Sequence, residues 1–308
     1  MLAAYSLFGF IVFCERAQVA SLTSQVRRPK AVGTQEDTHM AITWKHFPAG
    51  EHGFFRAPVL LTGSRDALLI DGGFTLADGR AVAQSIRETG KRLTTVYVSQ
   101  SDPDYYFSLG AIREAFPAAR FVAVEETVAA IRRNVEKKIQ TWGPQLKNNG
   151  PQSVSDVVLP EPSSEPTLRL EGEVLEVVGA RDLPNARYLW APSLRAVFGG
   201  VLVFSDVHVW VADTPSPAQR QAWIANLDAM AARRPAIVVP GHGAETSTTD
   251  ASAIAYTRDY LTAFDEELGK AADSATLISA MKRRYPKAGM GVALELGAKV
   301  AKGEMKWG

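Results

Sequence analysis

Residues 94–106 read Thr-Thr-Val-Tyr-Val-Ser-Gln-Ser-Asp-Pro-Asp-Tyr-Tyr. The β-branched residues that open this stretch predict a buried strand over residues 93–98. Asp102 and Asp104 follow, two positions apart, in the loop after that strand. Two interpretations are open: a turn at Asp102 with Asp104 capping the next helix, or two carboxylates placed for chemistry.

Strand and helix patterns alternate around this stretch. The rest of the first half predicts a hairpin at residues 58–70 and a helix at residues 75–90 that is capped by Thr75. It also predicts a strand at residues 121–124 and a second helix at residues 127–139. The Gly-, Pro- and Asn-rich residues 141–154 predict a long loop around Trp142. That loop is either a lid or a segment packed by its own tryptophan.

The second half continues the alternation. The sequence predicts three strands, at residues 167–178, 187–191 and 196–204. It then predicts a helix at residues 216–234, opened by Ser216 and Pro217, a strand at residues 236–239 and a helical C-terminal part over about residues 250–300. Two similar halves of this kind imply a layered α/β protein with sheets inside and helices outside.

Composition excludes several classes of protein. Lys plus Arg number 34 and Asp plus Glu 33, so the net charge of +1 offers no basic excess for nucleic acid. With 46% hydrophobic and 22% charged residues among 308, an ordinary soluble globular protein is expected. The single cysteine, Cys14, excludes an internal disulfide framework and any multi-cysteine metal cluster.

The N-terminal residues predict an extension outside the folded domain. Residues 2–14 form the longest uncharged apolar stretch, too short to span a bilayer, and no clean cleavage site follows. We therefore expect an extension over residues 1–39, signal-like or disordered, and a domain over residues 40–308 with its core at about 41–245. No stable membrane span is expected. The predicted location is cytoplasmic, with export as the alternative if residues 1–20 act as a signal.

Four motifs in order resemble those of the metallo-β-lactamase superfamily over roughly residues 41–245. They are Leu68-Leu69-Ile70-Asp71-Gly72-Gly73, the loop at residues 99–105, Asp182-Leu183-Pro184-Asn185, and Val239-Pro240-Gly241-His242-Gly243. The resemblance implies an αββα sandwich, here with a C-terminal helical extension, and a metal site at the sandwich edge. It also implies that Asp71 braces the loop that carries metal ligands.

The chain departs from the family's ligand pattern. The positions that correspond to the family's five histidines, terminal aspartate and bridging carboxylate hold Gln100, Asp102, Asp104, Tyr105, Asp182, Val201 and His242. A valine cannot bridge two cations, so a binuclear site is not expected. A mononuclear site made of Asp102, Asp104, Asp182 and His242 is expected instead, with Gln100 as a weak ligand, for one divalent ion such as Zn, Mn or Fe.

Other residues leave alternatives open. His208 substitutes for a missing histidine ligand if residues 206–210 form a strand, because Asp206, His208 and Trp210 then share one face. Alternatively, Arg181 neutralises Asp182 and the metal site has become a salt-bridged turn. Further histidines near the first strands have no motif partner.

Two functions follow from these residues. The first is hydrolysis of a small ester, lactone or amide by a metal-activated water, with Asp104 as ligand and proton acceptor and Tyr105 or Tyr106 as oxyanion donor. The second is a catalytically silent protein of this fold that binds a small ligand or a partner. Neither the substrate nor the oligomeric state follows from the sequence.

Overall fold

The computed structural model describes residues 42–307. The predicted extension of residues 1–39, its apolar segment at residues 2–14 and the domain boundary at residue 40 lie outside the described residues. Within residues 42–307, no helix is both long enough and apolar enough to cross a membrane.

The first half forms a six-stranded sheet whose strands lie in chain order. They are β1 Thr43–His46, β2 Val59–Thr62, β3 Asp66–Ile70, β4 Arg92–Tyr97, β5 Arg120–Val124 and β6 Glu161–Ser163. β1, β2 and β3 pair antiparallel, which confirms the predicted hairpin, and β3 to β6 pair parallel. The helices of this half are α1 Leu76–Glu88, α2 Pro103–Tyr106, α3 Leu109–Ala115 and α4 Glu125–Leu146.

The second half forms a five-stranded sheet in the order β12-β10-β9-β8-β7 and a small parallel pair, β11 with β13. Their bounds are β7 Thr167–Leu170, β8 Glu173–Gly179, β9 Arg187–Ala191, β10 Ala196–Phe198, β11 Phe204–Ser205, β12 Ile237–Val238 and β13 His242–Gly243. The helices of this half are α5 Pro217–Ala232, α6 Ser252–Lys270, α7 Ser274–Arg284 and α8 Gly291–Ala301.

Three apolar cores stack these elements into the predicted αββα sandwich. Alternation along β2 and β3 sends Leu61 and Leu68 toward the second sheet, where they pack near Leu189. Leu60 and Leu69 point the other way, into the core under α1 and α4. The third core lies between the second sheet and α5 to α8, so the C-terminal helices complete the outer layer.

Four predicted elements are wrong. The strand predicted over residues 196–204 ends at Phe198, because the backbone takes positive φ at Gly199 and Gly200. The strand over residues 167–178 is a hairpin, because the backbone turns with positive φ at Glu171 and Gly172. The Glu171 carboxylate anchors this turn by accepting hydrogen bonds from backbone N–H groups of residues 64–66. Residues 206–210 are not a strand, apart from one isolated bridge at Val207. The predicted loop at residues 141–154 begins as helix, because α4 continues to Leu146.

Candidate functional site

The loop after β4 is tied to the end of β3 by Asp71. This carboxylate is fully buried and accepts hydrogen bonds from the Ser99 backbone N–H at 2.6 Å and the Ser99 hydroxyl at 2.7 Å. The Gly200 N–H donates to the same hydroxyl at 2.9 Å. Asp71 therefore fixes where the loop at residues 99–105 leaves the sheet.

A buried arginine that the sequence analysis missed occupies the centre of this region. The Arg56 guanidinium is fully buried, donates to Asp71 Oδ2 at 2.5 Å and to the Gly241 carbonyl, and lies 3.8 Å from the centroid of the Tyr105 ring. Its Nε is 4.0 Å from Asp104 Oδ2. One sequence signal could have identified it: Arg56 is the only charged residue in the apolar run of residues 54–61.

Asp104 and His242 meet beside this guanidinium. His242 Nδ1 lies 2.8 Å from the Phe54 carbonyl oxygen, so we assign the ring proton to Nδ1, and Nε2 is left as an acceptor. Asp104 Oδ2 is 3.5 Å and the Tyr105 hydroxyl 3.3 Å from Nε2. The Tyr105 hydroxyl also donates to the Gly200 carbonyl at 3.1 Å.

Burial sets the protonation of this pair. Desolvation raises the pKa of the Asp104 carboxyl to about 7, with the negative charge of Asp102 adding to the effect and Arg56 opposing it. Desolvation, together with Arg56, lowers the pKa of His242 to about 3. The imidazole is therefore neutral at pH 7, and Asp104 changes its protonation close to that pH.

These residues form the floor of a pocket of about 530 Å³, a volume that includes its open mouth. Five aromatic side chains line its walls: Phe54, Phe74, Trp142, Trp210 and Trp307. Phe54, Phe74 and Trp142 meet edge to face, with ring centroids 4.8–5.5 Å apart. Trp142 thus lies on α4 and forms part of the wall rather than the tip of a lid loop.

The remaining predicted ligands lie apart from this floor. Gln100 is buried and lines a neighbouring cavity. Asp102 lines both that cavity and the edge of the site pocket, where its carboxylate is 3.3 Å from Lys138 Nζ. Asp182 lines a third, shallow cavity with Arg187. His208 is buried, and its Nδ1 lies 3.0 Å from the Tyr260 hydroxyl on α6.

These positions show which of the predicted ligands lie together. The structure brings Asp104 and His242 together in one pocket, whereas Gln100, Asp182 and His208 do not line that pocket. His208 lies outside the pocket, and residues 206–210 do not form the strand that would have aimed it. The positive charge beside the site comes from Arg56 and not from Arg181. The backbone N–H and carbonyl of Arg181 are hydrogen-bonded to the side chain of Asn226.

The described residues do not fit a metal ion. They contain no group of three or more His, Cys, Asp or Glu side chains that could hold one. The buried Arg56 guanidinium adds a cost, since a divalent ion held by Asp104 and His242 would lie close to it. Two unit charges 4 Å apart repel by about 4 kcal/mol at an effective dielectric of about 20, and a divalent ion would feel about twice that, less the part that the bonded Asp71 carboxylate offsets.

Comparison with known proteins identifies the fold. A sequence model of the metallo-beta-lactamase superfamily matches residues 53–242. No curated protein matches the chain.

Three solved structures illustrate the likeness. A beta-lactamase domain protein from Burkholderia ambifaria is 17% identical with a TM-score of 0.59, covering 85% of this chain and 84% of its own. A metallo-beta-lactamase family protein from Thermus thermophilus is 16% identical with a TM-score of 0.58, and the match covers 85% of this chain and 93% of that protein. A metallo-beta-lactamase from Pontibacter korlensis is 17% identical with a TM-score of 0.52, and the match covers 74% of this chain and 97% of that protein. At these identities the likeness concerns the fold.

Proposed function

Because the chain belongs to the metallo-β-lactamase superfamily, we propose that it retains the pocket of this fold and binds a small organic molecule there without a resident metal ion. The observation that carries the proposal is the buried Arg56 guanidinium, bonded to Asp71 and packed on the face of Tyr105. A permanent protein cation stands beside Asp104, the residue that resembles a ligand of the family's metal.

The hydrolase interpretation receives less support from the geometry. A mononuclear Zn, Mn or Fe site for cleavage of a small ester, lactone or amide needs Asp102, Asp104, Asp182 and His242 to converge. Asp104 and His242 lie 3.5 Å apart, whereas Asp102 is paired with Lys138 at the pocket edge and Asp182 lines a separate cavity. The Tyr105 hydroxyl, the hypothetical oxyanion donor, is already engaged with the Gly200 carbonyl. We therefore favour ligand binding over metal-dependent hydrolysis.

The pocket has the features of a binding site for a small molecule. Its walls are aromatic, which gives a large apolar area at low cost in side-chain entropy. Its floor carries few polar atoms, and Asp104 Oδ2 has no hydrogen-bond partner among the described residues. An apolar ligand body against the walls and one polar group near Asp104 fit this arrangement.

The test is the metal content of the purified protein after growth with added Zn, Mn and Fe, followed by assays on a panel of esters and lactones. We expect metal well below one equivalent and no turnover that a chelator removes. One bound equivalent per chain, together with hydrolysis that a chelator abolishes, would contradict the proposal and restore the hydrolase interpretation.

A further inference from the structure

We infer that the ligand of this pocket is an organic ammonium ion, a protonated or quaternary amine that carries an apolar group. This inference rests on the proposed function, since it names the ligand of the same pocket. It is carried by the combination of carboxylates and aromatic rings on one set of walls.

The charge of the pocket lining is negative. Asp102, Asp104 and Asp213 contribute three carboxyl groups, and Lys138 contributes the one ammonium group. Lys138 lies 3.3 Å from Asp102, so it is already paired with the carboxylate at the edge. Arg56 opposes a cation directly beside Asp104, although its bond to Asp71 offsets part of its charge, so the cation is assigned to the side of the pocket lined by Asp102 and Asp213. The pocket therefore favours a cation and disfavours an anion.

Asp213 adds a third carboxyl group to the pocket lining. Its carboxylate accepts a hydrogen bond from Trp307 Nε1 at 2.8 Å, a neutral donor that does not balance a negative charge. Burial and the negative charge of Asp102 raise the pKa of Asp213 to about 6. A bound ammonium group would relieve the same repulsion.

The aromatic walls select the kind of cation. Trp210 and Trp307 pack with ring centroids 5.5 Å apart, and Trp142 lies in the opposing cluster with Phe54 and Phe74. Tryptophan is the most favourable ring for a cation–π contact, and aromatic cages of this kind recognise substituted ammonium ions. A bare metal ion would gain little from such walls and would lack the three ligands it needs. An amine with an apolar body satisfies both the walls and the carboxylates.

The experiment compares three probes that share a phenyl ring: phenethylamine, which is cationic at pH 7.5, neutral 2-phenylethanol and anionic phenylacetate. Binding to the full-length protein is measured by calorimetry and by tryptophan fluorescence. We expect the amine to bind at least tenfold more tightly than the alcohol, with phenylacetate weakest. The affinity for the amine should fall as salt is added.

Two matched variants locate the effect. Asp213→Asn should weaken binding of the amine by about tenfold and change binding of the alcohol much less, because only the charge is removed. Asp182→Asn, in the separate shallow cavity, should change neither. Thermal melting of both variants checks that they fold, and the salt dependence of the unmodified protein tests the charge effect without any variant.

Equal binding of all three probes, preference for phenylacetate, or no binding of the amine would overturn the inference about the ligand. Equal binding would leave the proposed function standing, since the pocket would still bind small molecules without metal. A bound metal equivalent with chelator-sensitive hydrolysis would instead overturn the proposed function, so the two failures are distinguishable.

Discussion

At the residue scale, the buried Arg56–Asp71 pair should dominate the stability of the site. Arg56→Met leaves the Asp71 carboxylate buried at 0% exposure without its counter-charge. Breaking a buried pair from one side costs about 3–5 kcal/mol of the free energy of unfolding. Urea denaturation measures the loss.

The exposed pair Arg92–Asp66 provides the matched control, since the Arg92 side chain is 77% exposed. Solvent screens this pair, so Arg92→Met should change stability far less. A loss for Arg56→Met no larger than that for Arg92→Met would show that the guanidinium is not buried against Asp71.

Asp104 gives a prediction about pH. Its pKa rises from 3.8 in the unfolded chain to about 7 in the folded protein, so between these values the folded state holds one more proton. That contribution to stability is therefore lost as pH rises, by up to about 1.4 kcal/mol per pH unit. His242 acts in the opposite direction, since its pKa falls from 6.5 to about 3. The two slopes oppose each other in the wild-type protein from about pH 4 to 6.5.

Asp104→Asn removes only the first contribution. Relative to the wild-type protein, we expect this variant to gain stability as pH rises from about 4 to 7, measured by urea denaturation at several pH values. His242→Gln should show the opposite trend. A difference from wild type that stays constant with pH for both variants would contradict the assigned protonation states.

Local motifs were predictable at this scale, whereas side-chain partners were not. The sequence indicates that residues 99–105 and His242 belong to one site, because loops at strand ends converge in a layered α/β fold. Arg56 escaped prediction because its partners Asp71 and Gly241 are 15 and 185 positions away in the chain. Asp182 lines a separate cavity, which its motif could not indicate, because a motif fixes a position in the chain but not the direction of a side chain.

At the element scale, position 200 requires glycine, because the segment that precedes β11 passes very close to β9 there. Gly200 has a φ of +78°, and a Cβ there would overlap the Arg187 carbonyl oxygen. Gly200→Ala should therefore cost about 3 kcal/mol or more and disturb the Tyr105 contact with this segment. Chemical denaturation and the tyrosine region of the near-ultraviolet circular dichroism spectrum measure the two effects.

Gly269 is the control, because it lies within α6 and a Cβ there meets no atom within 4 Å. Gly269→Ala should stabilise the protein by about 0.5–1 kcal/mol, since alanine favours helix. If the two substitutions shift stability in the same direction, the backbone contact at Gly200 is not as described.

Elements with strong local signals were predicted correctly. Thr75 caps α1 and Ser216 caps α5, each through a capping box that needs only neighbouring residues. The end of α4 was missed because Gly143 and Pro144 are typical of loops. Tertiary packing prevails there, since Trp142 contacts Phe54 and Phe74 while the helix continues to Leu146.

At the scale of the whole molecule, the C-terminal end of the described chain closes one side of the pocket. Trp307 contacts Trp210 and donates to Asp213, which joins distant parts of the fold. Trp307→Ala should weaken phenethylamine binding several-fold, because one aromatic wall is lost. Its effect on stability should be roughly 1–2 kcal/mol, since the side chain is only partly buried.

Val292→Ala is the control, because Val292 is 39% exposed and is not among the residues that line the pocket. It should leave the affinity for phenethylamine unchanged in the same calorimetric titration. Unchanged affinity in Trp307→Ala as well would show that the C-terminal end does not form a wall of the site.

The layered architecture was predictable because alternating strands and helices in two halves have few ways to bury their apolar faces. Activity does not follow from the fold, because it depends on which groups fill the site. The proposed function depends most on the guanidinium of Arg56, which lies near the start of the matched region.

The most direct test of this account is a crystal structure of the protein grown with excess zinc chloride, with anomalous data collected at the zinc edge. We predict no anomalous peak between Asp104 and His242, and Arg56 in hydrogen-bond contact with Asp71. A zinc peak bonded to Asp104 and His242, with the Arg56 side chain displaced, would contradict the account.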